Sequence, residues 1–251
     1  MAKIKKAATS EKNTDSQTSH QEENWLEIFS LFIHDIESPL ASMKYILKLL
    51  DEGKLDSSKE LHRRLISSSR ISLERAESII YDIMAVAKSG KAKLSVNLET
   101  VNAHDIIENA ILLSLSSATE NEINFSFEDN SGSTQVLADT KLLKRTIDNL
   151  LFNAIRHTPS GGEIKIYTET TEESHYIHIK DSGQGLEGIS PDELFEQFGQ
   201  THMRLQGKHR GVGLGLYFCK IAATEMKGTI LADDHPEGGA VFSIRLQRIK
   251  G

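Results

Sequence analysis

Large apolar side chains are sparse over the first 22 positions and then recur at alternating steps of three and four: Leu26, Phe29, Ile33, Ile36, Leu40, Met43, Leu47 and Leu50. That spacing sets them on one stripe of a helix with a seven-residue repeat. Asp51-Glu52-Gly53-Lys54 interrupts the pattern, and Asp56-Ser57-Ser58-Lys59-Glu60 supplies the residue types that start a second helix. Its stripe is Ile66, Ser69, Leu73, Ala76, Ile80, Ile83 and Ala87, closed by Ser89-Gly90-Lys91. Two long helices with a short connection predict an antiparallel hairpin, and a hairpin with a wide apolar face needs something to cover it. A homodimeric four-helix bundle meets that need. A hairpin folded back on its own C-terminal domain meets it as well, and periodicity does not choose between them.

Beyond residue 90 the period changes repeatedly. Helical spacing is expected over His104–Ser117, Thr140–His157 and Gly213–Met226, and strand-like alternation over Ile123–Phe127, Glu163–Glu169, His175–Asp181, Thr229–Ala232 and Ala240–Leu246. Strands interrupted by helices, with sequential hairpins, predict one mixed sheet under a helical layer. The fold class is therefore α+β: an N-terminal helical hairpin followed by an α/β sandwich. The expected divisions are a disordered polar tail at 1–22, the hairpin at 23–89 and the sandwich at 90–251. The tail is rich in Lys, Ser, Thr, Asn, Gln and Glu and lacks the apolar surface needed to offset the entropy of ordering.

Composition narrows the functional classes. With 251 residues, 38% hydrophobic and 26% charged, the chain has enough apolar material for a core and a smaller second unit. A formal net charge of −7 argues against broad affinity for nucleic acid or acidic membranes, which depends on a basic surface. Cys219 is the single cysteine, so no internal disulfide forms; in Leu-Tyr-Phe-Cys-Lys it reads as a core thiol in a reducing compartment. No run approaches the roughly 20 apolar residues of a membrane span, and no signal-peptide core follows the N-terminus. A cytoplasmic protein without membrane insertion is expected.

Four stretches carry candidate chemistry. His34 follows Ile33 on the helical seam, so its ring is expected to project off the buried stripe. Pro39 inside the same helical pattern removes a backbone hydrogen bond to Asp35 and kinks the helix beside the histidine. Asp35 can take the proton of one ring nitrogen and leave the other to attack an electrophile. Asn149 and Asn153, four apart, share a helix face opposite Leu150, Leu151 and Ile155, and their carboxamide oxygens suit a hard cation such as Mg²⁺. Asp181-Ser182-Gly183-Gln184-Gly185 follows a strand directly; its carboxylate can accept from an exocyclic amine while Gly183 and Gly185 let the backbone turn or approach a flat ring. Gly211-Val212-Gly213-Leu214-Gly215 opens a helix and offers N–H groups to phosphate oxygens. Between the last two, Phe195 to His202 and the basic stretch through Lys208 and Arg210 read as a lid over a ligand.

Taken singly, each stretch has an ordinary structural reading: a surface histidine, a solvated helix face, a turn, a flexible loop. Their order is more specific, and from about Trp25 to the end the chain resembles the sensor histidine kinases of two-component systems. His-Asp-Ile-Glu-Ser-Pro-Leu is similar to that family's H box, the asparagine helix to its N box, Asp181–Gly185 to its first glycine box, Leu194–Phe198 to its phenylalanine box and Gly211–Gly215 to its second glycine box. The resemblance implies a dimerisation and phosphotransfer hairpin joined to a GHKL-type ATP-binding domain. It implies that His34 accepts the γ-phosphoryl group of ATP with Asp35 as acid/base partner, and that the group passes to an aspartate on a response-regulator receiver domain. It further implies Asn153 as the Mg²⁺ ligand with Asn149 beside it, Arg156 and His157 facing the phosphates or nucleoside, Asp181 recognising the adenine amine, and Gly211, Gly213 and Gly215 lining the triphosphate. Ser38 stands four residues after His34, where many relatives carry Thr or Asn. No sensor segment precedes residue 25, so the stimulus would come from a separate sensor protein, the tail or the catalytic domain. Two rival readings are a non-catalytic scaffold that docks a receiver domain, and another member of the ATP-binding superfamily such as a serine kinase. Intact Asn153 and Asp181 oppose the first; the His-Asp hairpin opposes the second.

Overall fold

Alternation along three strands builds the core of the larger unit. In the computed structural model, which describes residues 33, 36–37, 40–56, 59–89, 96–130, 135–196 and 214–249, the buried positions on these strands alternate. They are Ile164, Ile166 and Thr168, then His175, Ile177, Ile179 and Asp181, then Ala240, Phe242, Ile244 and Leu246. A period of two sends one set of side chains to a single sheet face. The intervening residues form a polar outer face, where Lys165 pairs with Glu128 at 2.7 Å and the His178 ring stacks on Tyr167 at 4.5 Å.

The elements in chain order are a helical run α1 at 40–51, α2 (Glu60–Ser89), β1 (Glu99–Asn102), α3 (Ala103–Glu120), β2 (Asn124–Asp129), β3 (Gln135–Ala138), α4 (Thr140–His157), β4 (Glu163–Thr170), β5 (Ser174–Asp181), a single turn α5 (Pro191–Leu194), α6 (Gly215–Glu225), β6 (Thr229–Asp234) and β7 (Ala240–Arg248). The seven strands form one mixed sheet in the order β1-β3-β7-β5-β4-β2, with β6 also on β7. Only β2 and β4 run parallel. The edge of β7 away from β5 is shared: β6 pairs with 240–245 and β3 with 247–248. Helix α3 packs on α4 and α4 on α6, and their buried residues join the inner sheet face in one apolar cluster. Cys219 is fully buried there, its thiol 3.7 Å from the Thr146 carbonyl oxygen.

Compared with the sequence expectations, α4 has the expected bounds, and the mixed sheet under helices is present. Two strands, β1 and β3, were not anticipated. At four residues each, Glu-Thr-Val-Asn and Gln-Val-Leu-Ala are too short for alternation to register. Ile123 was expected to open a strand, but its N–H bonds to the Ala118 carbonyl at the end of α3, and β2 begins one residue later. Helix α6 starts at Gly215, two residues after the expected position.

In the N-terminal part, the helical run ends at Asp51 and Gly53 takes φ +63, as the glycine-bearing break implies. Helix α2 closes at Ser89. The chain divides into two compact units between Tyr81 and Asp82, within α2. The seam residues Ile33, Leu40, Leu47 and Leu50 are each more than half exposed within the single chain, whereas Ser69 and Ala76 of the α2 stripe are buried. His34, Asp35, Ser38 and Pro39 lie outside the described residues.

Side chains at the starts of α4 and α3 tie these helices to neighbouring segments. Asp139 precedes α4 and accepts from the N–H groups of Lys141 at 3.0 Å and Leu142 at 3.1 Å with one oxygen, and from Asn97 N–H at 2.8 Å with the other. It therefore caps the helix and ties its start to the segment before β1. At the start of α3, the His104 ring contacts Asp129 at 3.0 Å and Glu108 at 3.2 Å, joining the helix to the end of β2. Desolvation pulls the His104 imidazolium down, but the hydrogen bonds and charges of Asp129 and Glu108 outweigh it, and the pKa is raised above the ordinary histidine value. A raised folded-state pKa gives stability that is complete below the unfolded value of about 6.5 and fades as pH climbs through the folded one. Relative to His104→Gln, the wild type is thus expected to melt higher at pH 5.5, with the difference shrinking towards pH 8.5 in thermal scans.

Candidate functional site

The site is built where β5 ends. Asp181 is the last residue of that strand, on the buried side of its alternation, and is only 2% exposed. Its Oδ1 accepts from the N–H of Gly183 at 2.8 Å and of Ala240 at 3.2 Å. Among the described residues no donor reaches Oδ2. Burial pushes the carboxyl pKa up, and the two backbone N–H groups hold it back in part. The outcome is a carboxyl group with one oxygen fixed by the fold and the other directed to whatever occupies the space beside it.

That space is a cleft open to solvent. Asn153 and His157 of α4 form one side, Asp181, Gln184, Gly185 and Leu186 another, and Ile189, Leu194 and Phe242 give it an apolar lining. A largely apolar slot with a few converging polar groups is the usual form of a small-ligand site. The glycines of the Asp181 loop are needed sterically. A Cβ on Gly183 would lie 2.5 Å from the His157 carbonyl oxygen, and Gly185 takes φ +77 with its would-be Cβ pressed on Asp234.

Of the residues singled out from sequence, the fold brings Asn153, His157, Asp181, Gly183 and Gly185 around this cleft or its loop. Asn149 lies one turn before Asn153, and its Nδ2 is 3.4 Å from the carbonyl oxygen of Gly215 at the start of α6, so both candidate phosphate elements are adjacent. Arg156 is half-buried on the last turn of α4. Gly215 has ordinary contact distances at its would-be Cβ, 3.7 Å or more from Asn149. Gly211, Gly213 and most of the expected lid lie outside the described residues. Phe195, at the start of that stretch, is buried and meets Phe242 edge to face at 6.3 Å.

Sequence reasoning missed the contribution of the β6–β7 end. Ala240 donates to Asp181, Asp234 accepts from Leu186 N–H at 2.6 Å, and Phe242 lines the cleft. The available signal was the Gly238-Gly239 pair after Pro236, which marks a tight turn but not the Asp181 loop against which it packs.

Magnesium fits this donor set in one form. Among the described residues no group of three His, Cys, Asp or Glu side chains is arranged to hold a metal. The neutral oxygens of Asn149 and Asn153 suit a hard cation that brings most of its oxygen ligands with it, as Mg²⁺ does on a nucleotide.

Comparison with known proteins agrees with this geometry. The family model for histidine kinase-, DNA gyrase B-, and HSP90-like ATPases matches residues 138–250. The adaptive-response sensory kinase SasA of Synechocystis sp. is 26% identical over 227 residues, which are 88% of this chain and 58% of that protein. The chain thus spans little more than half the length of that relative. The solved catalytic domain of histidine kinase ThkA superposes with a TM-score of 0.54 at 25% identity, covering 60% of this chain and 97% of that domain. ThkA solved in complex with the response regulator protein TrrA gives a TM-score of 0.56 at 24% identity, covering 89% of this chain and 61% of that one. Residues 138–250 are thus similar to the histidine kinase-, DNA gyrase B- and HSP90-like ATPases. The similarity to a sensory kinase extends over 88% of the chain. Among the described residues no helix is long and apolar enough to cross a membrane.

Proposed function

We propose that this chain is an ATP-dependent protein histidine kinase that phosphorylates His34 and passes the phosphoryl group to an aspartate of a response-regulator receiver domain. The observation that carries the reading is the buried Asp181 carboxyl, held by Gly183 and Ala240 and facing Asn153 and His157 across the cleft of an ATPase-family domain. Oδ2 of Asp181 would accept from the exocyclic amine of adenine. Asn153, with Asn149 beside it, would hold the Mg²⁺ that travels with the phosphates, supplying charge neutralisation to the transfer. Arg156 and His157 would face the phosphates or nucleoside from α4, and Gly211, Gly213 and Gly215 would line the triphosphate.

Catalysis of phosphoryl transfer rests on positioning and charge more than on covalent help from the protein. In this reading, Asp35 takes the proton from one nitrogen of His34, and the other nitrogen attacks the γ-phosphorus in line with the departing ADP oxygen. The phosphoramidate formed is then the donor to a receiver aspartate. The phosphotransfer hairpin is assigned to 23–89 and the catalytic domain to 90–251. The exposed Ile33, Leu40, Leu47 and Leu50 support a homodimeric four-helix bundle, because a stripe of that width left in water costs about 25 cal/mol per Å² of apolar surface. The ThkA–TrrA complex supports a receiver domain as partner. A cytoplasmic location and input from a separate sensor protein complete the proposal.

The test is incubation of purified chain with Mg²⁺ and γ-labelled ATP. Label that is stable in base and lost in acid supports a phosphohistidine; ATP binding with no label in the presence of Mg²⁺ gives the scaffold reading instead.

A further inference from the structure

The Asp181 loop is held at both ends by a single rung of the β6–β7 hairpin. Asp234 and Ala240 are register partners, the final pair of that ladder. Ala240 N–H reaches forward to Asp181 Oδ1 at 3.2 Å, and Asp234 Oδ1 accepts from Leu186 N–H at 2.6 Å. The turn between them is closed by His235 N–H to the Gly239 carbonyl and Gly238 N–H to the His235 carbonyl, each at 2.8 Å. Gly239, at φ +85, lies directly on the Asp181 backbone with no room for a Cβ. Residues 181 and 186 are thus pinned to two strands whose spacing is set by β-pairing, about 4.7–4.9 Å between strands. The residues between the two pins, Gln184 and Gly185, form part of the cleft wall.

We propose that Asp234 is a positioning residue for base recognition: through Leu186 it sets how far the Gly185 turn stands from the Asp181 carboxyl, and so the width of the slot for the purine. The inference rests on the cleft being the ATP site. Hydrogen bonds to charged acceptors are among the stronger ones, so the turn moves when the carboxylate is removed. Leu186 is buried, and its displacement changes the slot directly. Among the described residues the Asp234 carboxylate meets the turn at Gly185 and Leu186. Its loss is therefore felt by the base.

The test compares ATP, GTP and adenosine binding by isothermal calorimetry to the full chain and to Asp234→Ala, Asp234→Asn and Asp234→Glu, with melting followed by circular dichroism. Asp234→Ala is expected to weaken ATP and adenosine by the same factor, on the order of tenfold, and to reduce the preference for ATP over GTP. Asp234→Asn keeps an acceptor oxygen at the same reach and is expected to stay within about twofold of wild type. Asp234→Glu keeps the charge but lengthens the arm by one methylene, and is expected to shift the preference without unfolding the chain; it decides the matter if the Ala variant fails to fold. Glu237→Gln, on the same turn but bonded to Lys180, serves as the control and is expected to leave binding unchanged. Unchanged ATP and GTP affinities in folded Asp234→Ala or Asp234→Glu overturn the inference, as does loss confined to lower melting temperature. A wild-type chain that binds no ATP would instead remove the functional reading beneath it.

Discussion

Asp181→Asn is expected to abolish measurable ATP binding while leaving a protein that melts no lower than wild type at neutral pH. The two halves of that outcome come from different atoms. Oδ1 accepts from Gly183 and Ala240 through bonds that an amide oxygen reproduces, so the loop retains its shape. At Oδ2 the substitution places an NH₂ group where the adenine amine would donate, turning an attractive contact into two donors facing one another. Loss of a site built to hydrogen-bond its ligand is the kind of change that costs several orders of magnitude. Stability moves the other way. Burial raises the carboxyl pKa, and a raised acid contributes stability only below its unfolded value of about 3.9, losing it as pH rises through the folded value. At pH 7 the ionised group is therefore a cost to the fold, and its neutral replacement removes that cost. Calorimetry with ATP and thermal scans on the same samples check both halves; an Asn variant that binds ATP as wild type does would exclude the Asp181 contact.

The second large effect is expected from His34→Gln, which should eliminate phosphoryl acceptance and leave ATP affinity within about twofold of wild type. The residues that line the cleft belong to one compact unit and residue 34 to the other. Glutamine keeps a polar side chain of similar reach but has no ring nitrogen able to attack phosphorus. The measurement is γ-labelled ATP incorporation beside nucleotide binding. Residual acid-labile label in the variant would point to another acceptor histidine, and loss of both properties in a folded variant would contradict the division of labour.

How much of this was readable in the sequence depended on how local each signal was. The span of α4 was legible because Asp139 and Thr140 at one end and Thr158-Pro159 at the other are local start and stop signals around a strong apolar stripe. The candidate residues Asn153, His157 and Asp181 were legible as residue types at motif spacing, and they do converge on one cleft. What could not be read was the pairing that holds them. Ala240 is 59 residues from the Asp181 oxygen it donates to, and Asp234 is 48 from Leu186. Long-range register leaves little trace in a single sequence, and short strands such as β1 and β3 leave less.

The sheet order has a consequence for how the domain is made. Strand β7 is the hub, paired with β5, β6 and β3, yet it is the last element of the sheet in chain order. Until it emerges from the ribosome, β3 and β1 have no strand that joins them to the β5-β4-β2 half of the sheet, and Asp181 lacks the Ala240 donor. The domain therefore cannot assemble progressively from its N-terminal side. During synthesis it must pass through a stage with its central edge open, where premature association competes with closure and a chaperone would find its binding surface.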